Sequence, residues 1–294
     1  MTDSLERIIT QSGTIFGLAC NTTGIVNEVR KRHDLGPTAA AALGRAITGA
    51  VLLAGLLKND QNIQLIFEGN GPLGKVVAQA SSSGWSRGYV AEPRAELPLK
   101  NGRIDVAGGI GKAGFLRVIK DIGFKEKYTG LVQLYTSEIG EDIAYYLTES
   151  EQTPSTINLS IHLEPDGTVA AAGGYLIQAL PPVSDEVLQE LEENTRNHES
   201  VSALLTSGFS PLKILSHLFQ GVPHKHTGST ALSFSCFCSK EKMENILHTL
   251  SQDDINYLLE QNEGVEVKCD WCNENYCFSR DYLLSLAAQK KHTG

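Results

Sequence analysis

At 294 residues, with 41% hydrophobic and 20% charged side chains, the chain has the make-up of a globular protein with a real core, long enough for one large domain or two ordinary ones. Its net charge of −9 argues against binding to phosphate backbones, which is driven by lysine and arginine releasing counterions. The opening residues Met1-Thr2-Asp3-Ser4-Leu5-Glu6-Arg7 carry acids where a secretory signal needs bases, and no short apolar core follows, so no signal peptide is expected.

In chain order, residues 14–20 and 25–30 around the Asn21-Thr22-Thr23-Gly24 turn predict a hairpin. Ala39–Leu57 is apolar enough to be weighed as a membrane span. Arg45 inside it, and the small residues Gly44, Gly49 and Gly55 that allow close approach, favour a buried helix begun at Gly36-Pro37-Thr38. Strand patterns follow at 63–68, 75–79, 88–91, 115–120 and 128–135, with a helical stretch at 138–147. Ile157, Leu159, Ile161 and Leu163 alternate up to Pro165-Asp166-Gly167, and 169–180 returns as a second hairpin. Hairpins mixed with separate helices imply an α+β domain over residues 1–181.

Pro181-Pro182 marks a boundary. Helices are predicted at 184–193, 201–205 and 211–219, the last with Leu212, Ile214, Leu215, Leu218 and Phe219 at helical spacing. Each has fewer than about twelve residues and needs a partner to pack on, so 182–231 reads as a conditionally stable helical linker. Residues 232–294 form a small third segment holding five of the six cysteines.

Cys236-Phe237-Cys238 and Cys269-Asp270-Trp271-Cys272 are separated by thirty residues. Four thiolates suit Zn²⁺, whose tetrahedral sulfur sites are closed to water. Met243, Ile246, Leu247 and Leu250 give the spacer an apolar helical face. Two structural disulfides are the rival, but without a secretion signal a reduced, zinc-bound resting state in the cytoplasm is expected. Zinc keeps its sulfurs as thiolates, the oxidisable form. The chemistry alone leaves an inert structural zinc and a redox-active one both open.

The C-x-C and C-x-x-C pairs, followed by Asn273-Glu274-Asn275-Tyr276, resemble the zinc-switch signature of the heat-shock protein 33 family. The stretches Glu68-Gly69-Asn70-Gly71-Pro72-Leu73 and Ala171-Ala172-Gly173-Gly174-Tyr175-Leu176-Ile177-Gln178 also resemble motifs of that family, and the resemblance covers essentially the whole chain. It implies a redox-regulated, ATP-independent holdase chaperone of oxidative and heat stress: an α+β N-terminal domain, a metastable linker and a C-terminal zinc domain. It further implies one zinc per chain on Cys236, Cys238, Cys269 and Cys272 when reduced, and pairing of Cys236 with Cys238 and Cys269 with Cys272 on oxidation. Unfolded clients and a second copy of the chain are the implied partners. Leu212, Leu215, Leu218 and Phe219 of the linker are the candidate client-binding residues, and no catalytic residue is expected. Cys277 departs from the signature.

Other signals are discounted. Gly109-Ile110-Gly111-Lys112-Ala113-Gly114 precedes a strand rather than a helix, so it reads as a plain turn and not a nucleotide loop. His224-Lys225-His226 reads as solvated linker and Cys20 as a small core residue. Two alternative functions are weighed. A zinc-ribbon nucleic-acid binder conflicts with six basic against ten acidic residues in 232–294. A thiol oxidoreductase would place C-x-x-C at a helix start in a βαβ context.

Overall fold

In the computed structural model, which describes residues 2–180, 182–261 and 263–291, β1 (Ser4–Thr10) pairs antiparallel with β2 (Ile15–Asn21). Residues 25–30, expected as a returning strand, lie instead in helix α1 (Thr23–His33). Its buried residues Ile25, Val26, Val29 and His33 recur at helical spacing. The Asp3 carboxylate accepts from the Gly24 and Ile25 amides at 2.9 and 2.7 Å. A carboxylate from outside the helix thus satisfies the orphan amides at its start, and the predicted turn becomes a helix N-terminus.

Helix α2 (Pro37–Ala54) follows, then β3 (Asn62–Gly69), β4 (Lys75–Ser81), β5 (Trp85–Val90), α3 (Val106–Ile110), β6 (Gly114–Asp121), β7 (Tyr128–Gln133), α4 (Ile139–Glu149), β8 (Ser155–Leu163) and β9 (Val169–Ala179). Three short helices come next, α5 (Asp185–Arg196), α6 (Val201–Thr206) and α7 (Pro211–Leu218), and then strands β10 (His224–Ala231) and β11 (Ser233–Phe234). One sheet has the order β10-β1-β2-β9-β8 and the other β11-β5-β4-β3-β6-β7. Helix α2 packs on strands of both sheets and joins them in one apolar core. It is the one described helix long and apolar enough to cross a membrane, and 89% of that stretch is buried in the protein. Its glycines act as expected. A Cβ on Gly49 would stand 2.4 Å from Ile143, and one on Gly44 would stand 2.7 Å from Ile161.

The first sheet uses both of its faces. Along β2, Phe16, Leu18 and Cys20 face the α2 core, while Ile15 and Ala19 join a second core made with Tyr175 and Ile177 of β9. Helices α5–α7 close that second core through Leu191, Val201, Leu204, Leu205, Ile214, Leu215, Leu218 and Phe219. Glycine on the sheet lets the helices settle: a Cβ on Gly17 would meet Phe219 at 2.9 Å and Leu215 at 3.1 Å. Of the four candidate client-binding residues, Leu215, Leu218 and Phe219 are fully buried here, and Leu212 packs at the margin. The His224-Lys225-His226 stretch, expected as solvated linker, is the start of β10, which runs along β1. Its residues are polar because it is an edge strand held by backbone pairing, with His226 2.8 Å from Glu6.

The chain divides into two compact units, residues 1–235 and 236–294. The second contains α8 (Lys240–Thr249), α9 (Gln252–Gln261), the antiparallel pair β12 (Gly264–Lys268) and β13 (Asn275–Ser279), and α10 (Arg280–Lys291). Ser239 caps α8 through the Lys242 amide, and Ser251 and Asp254 cap α9 reciprocally. The buried apolar residues are few: Met243, Leu247, Ile255, Leu259, Phe278, Leu283, Leu286 and Ala287. Of the predicted spacer face, Met243 and Leu247 point inward, whereas Ile246 is half exposed.

Candidate metal centre

The four signature cysteines come from two segments of the second unit. Cys236 and Cys238 lie just before α8, where the Lys242 ammonium donates to the Phe237 carbonyl and ties the C-x-C segment to the helix. Cys269 and Cys272 form the turn between β12 and β13. The Cys269 amide donates to the Glu274 carbonyl at 2.9 Å and the Asn273 amide to the Cys269 carbonyl at 2.8 Å. Asn273 takes a left-handed φ of 65°, a conformation asparagine tolerates.

All four sulfurs lie within 4.8 Å of one another. Cys236 and Cys269 are 3.7 Å apart, Cys238 and Cys272 3.4 Å. Four sulfurs each about 2.3 Å from one ion in a tetrahedron would be separated by roughly 3.8 Å, so the cluster has the right size for a single Zn²⁺. None of the four is bonded to another.

The surroundings pull the thiols in different directions. Nearby backbone amides favour the thiolate form, those of Trp271 and Cys272 at Cys269, that of Glu274 at Cys272 and that of Cys238 at Cys236. The Tyr276 hydroxyl donates to the Cys238 sulfur at 3.1 Å. At Cys236, burial disfavours the thiolate, but the Cys238 amide and the neighbouring thiols outweigh it and bring the thiol down to about 7. Burial pushes Cys269 and Cys272 up. The hydrogen bond to Cys238 pushes the Tyr276 phenol up, which keeps it a donor.

The other cysteines lie outside the cluster. Tyr276 and Cys277 are neighbours on β13, so they point to opposite faces. Tyr276 turns toward the sulfurs, and Cys277 is exposed. Cys20 sits buried in the first unit, where desolvation keeps its thiol protonated. His224 and His226 belong to β10, and of the glycine-rich 109–114 segment, expected as a plain turn, Gly109 and Ile110 end helix α3 while residues 111–113 connect it to β6 at Gly114. Tyr276 is the residue whose part in the site sequence reasoning missed. Its signal was present, since a strand beginning after the C-x-x-C turn brings alternate residues back over the sulfurs.

The family profile described as Hsp33 protein matches residues 3–279. A 33 kDa chaperonin of Desulfotalea psychrophila is 54% identical over 99% of both chains. One of Geobacter sulfurreducens is 48% identical, covering 97% of this chain and 95% of its own. The crystal structure of the 33 kDa chaperonin, heat shock protein 33 homolog, of Thermotoga maritima matches with a TM-score of 0.93 at 34% identity, over 99% of this chain and all of that one. An α+β fold, a four-cysteine centre fit for zinc and full-length similarity to these proteins together place the chain in the Hsp33 family.

Proposed function

We infer that the chain is a redox-regulated, ATP-independent holdase: a binding protein, not an enzyme, that captures unfolding clients. The observation that carries this reading is the gathering of four thiols in a unit with few buried apolar residues. Below about 70–80 residues an apolar core rarely supplies more than ~3–5 kcal/mol. A bound Zn²⁺ holds Cys236, Cys238, Cys269 and Cys272 as thiolates and contributes an apparent ~10–16 kcal/mol to such a unit. The fold of residues 236–294 therefore depends on the oxidation state of four sulfurs.

The linker 182–231 is the element such a loss would release. Helices α6 and α7 have six and eight residues, too short to stand alone, and α5 fully buries only Leu191. Their removal would uncover Leu212, Leu215, Leu218 and Phe219 together with Ile15, Ala19, Tyr175 and Ile177 beneath them. Apolar surface of that extent binds unfolded chains or a second copy, so dimer formation on activation belongs to the same reading. A resting state with reduced thiols belongs in the cytoplasm. The two rivals are not favoured: the second segment is acidic, and C-x-x-C sits between antiparallel strands rather than at a helix start.

Cys236 is expected to pair with Cys238 and Cys269 with Cys272. The contacts at 3.4 and 3.7 Å run crosswise. Once the unit loosens, however, closing a loop of three or four residues costs less entropy than closing one of more than thirty. Peptide mapping after peroxide should find the sequence-adjacent bridges. Predominant bridges between the two pairs, or substantial Cys277 in the bridges, would contradict this.

Ligand assignment has its own test. Reduced Cys20→Ser and Cys277→Ser proteins should each keep one zinc per chain, whereas serine at Cys236, Cys238, Cys269 or Cys272 should abolish tight binding. Metal analysis of the purified variants reads this directly, and loss of zinc from either of the first two overturns the assignment.

A further inference from the structure

Between α5 and the first sheet lies a cavity of about 450 Å³. Its floor is one face of the sheet, where Ile15 of β2 pairs with Ala179 of β9 and Ile177 of β9 pairs with Thr156 of β8. The opposite wall is one face of α5. Leu188, Leu191, Glu192 and Thr195 recur there at the three- and four-residue spacing that shares a helix side. Leu180, 46% exposed, lines the cavity as well. The polar groups at the start of β8 are already engaged: Ser155 Oγ donates to the Thr153 carbonyl at 2.9 Å and accepts from Gln178 Nε2 at 2.8 Å. The Thr195 hydroxyl donates to the Glu192 carbonyl at 3.0 Å. Glu192 is the one charged side chain lining the cavity. Among the described residues its carboxylate makes no ion pair.

We propose that this cavity binds a primary alkylammonium and that the bound amine holds α5 on the sheet. The aliphatic tail lies among Ile15, Ile177 and Leu191, and the ammonium sits beside Glu192. The volume falls in the ~300–1,000 Å³ range of small-molecule sites, and a tail of roughly eight carbons suits it. Each methylene buried on the apolar floor strengthens binding about fourfold. A single carboxylate, with no base lining the cavity, selects a cation over an anion, and the exposure of Glu192 leaves the ammonium hydrated. Helix and sheet share the site, so the amine binds only while α5 is docked. It therefore favours the docked linker by one plus the ratio of free amine to Kd. The site stands on this geometry alone; that the amine opposes activation rests on the linker-release reading above.

The test uses full-length, reduced, zinc-loaded protein with octylammonium or octanoate below their aggregation concentrations. Calorimetric titration reads binding, and protease cleavage within 185–196 reads release of α5. Octylammonium should bind one per chain and, at about ten times its Kd, slow that cleavage about tenfold. Octanoate should bind more weakly. Because Glu192 is exposed, its variants fold. Glu192→Gln should bind octylammonium about threefold more weakly, the worth of an exposed ion pair, and Glu192→Lys should prefer octanoate. The lysine variant leaves the chain strongly acidic, so the inverted preference reports the site and not the overall charge. Titration without saturation, or an unchanged preference in Glu192→Lys, overturns the proposal. So does faster cleavage with amine, which means binding to the released linker. If amine keeps α5 protected after peroxide and clients are captured all the same, the site stands and the linker-release reading fails.

Discussion

Stripping the metal from reduced protein with a chelator is expected to unfold residues 236–294 while the α2 core stays folded. Among its described residues the second unit buries eight apolar side chains besides the ligand cysteines, two of them on each of α8 and α9, and its β12–β13 pair closes on the turn that carries Cys269 and Cys272. Removing ~10–16 kcal/mol of metal-dependent stabilisation exceeds what most whole domains possess, ~5–15 kcal/mol. The α2 core has no share in that term, for Leu43, Ile47 and Leu52 pack between the two sheets of the first unit. Amide hydrogen exchange should show near-complete loss of protection in 236–291 and retained protection in α2 and β3. Retained protection in both segments would mean that the second unit folds without its metal.

Loosening α7 from the first sheet should switch the protein on without oxidation. Phe219 is fully buried against Gly17, and Phe219→Ala should cost about 3–5 kcal/mol at that contact. Because Phe219 is itself a candidate client contact, Gly17→Val is the cleaner partner variant. It leaves every linker side chain intact and forces a Cβ to within 2.9 Å of the Phe219 ring and 3.1 Å of Leu215, an overpacking worth about 1–3 kcal/mol. Both reduced, zinc-loaded variants should bind a hydrophobic dye and be cut by protease within 185–218, and Gly17→Val should suppress client aggregation. If both remain protected and silent, release of α5–α7 is not the activating event.

Much of this was legible in the sequence where a periodic signal had a single physical meaning. Strict alternation over Ile157–Leu163 gave β8, and the small-residue apolar run gave α2, because a helix packed against two sheets must be apolar all round. The cysteine spacing identified the cluster for a comparable reason: two short pairs suffice to surround one ion. What escaped depended on distant partners. Ile25, Val26 and Val29 favour strand by side-chain type, and it is the carboxylate of Asp3, twenty-two residues from the Ile25 amide, that caps them as a helix. Strand β10 reads as polar linker because an edge strand is recognised by the backbone of β1, which leaves no hydrophobic pattern. The Tyr276 contact needed the register of β13 on β12 before its hydroxyl could be placed beside Cys238.

Suppression of client aggregation at elevated temperature tests the central claim most directly. It is measured on one preparation in three states: reduced with one zinc per chain, after peroxide, and after reductant with zinc restored. Sulfur-controlled release of the linker predicts little protection in the first state, strong protection in the second with zinc released and four thiols lost, and return to the first level in the third. Full protection by the reduced, zinc-loaded protein would contradict it and leave the metal an inert structural support.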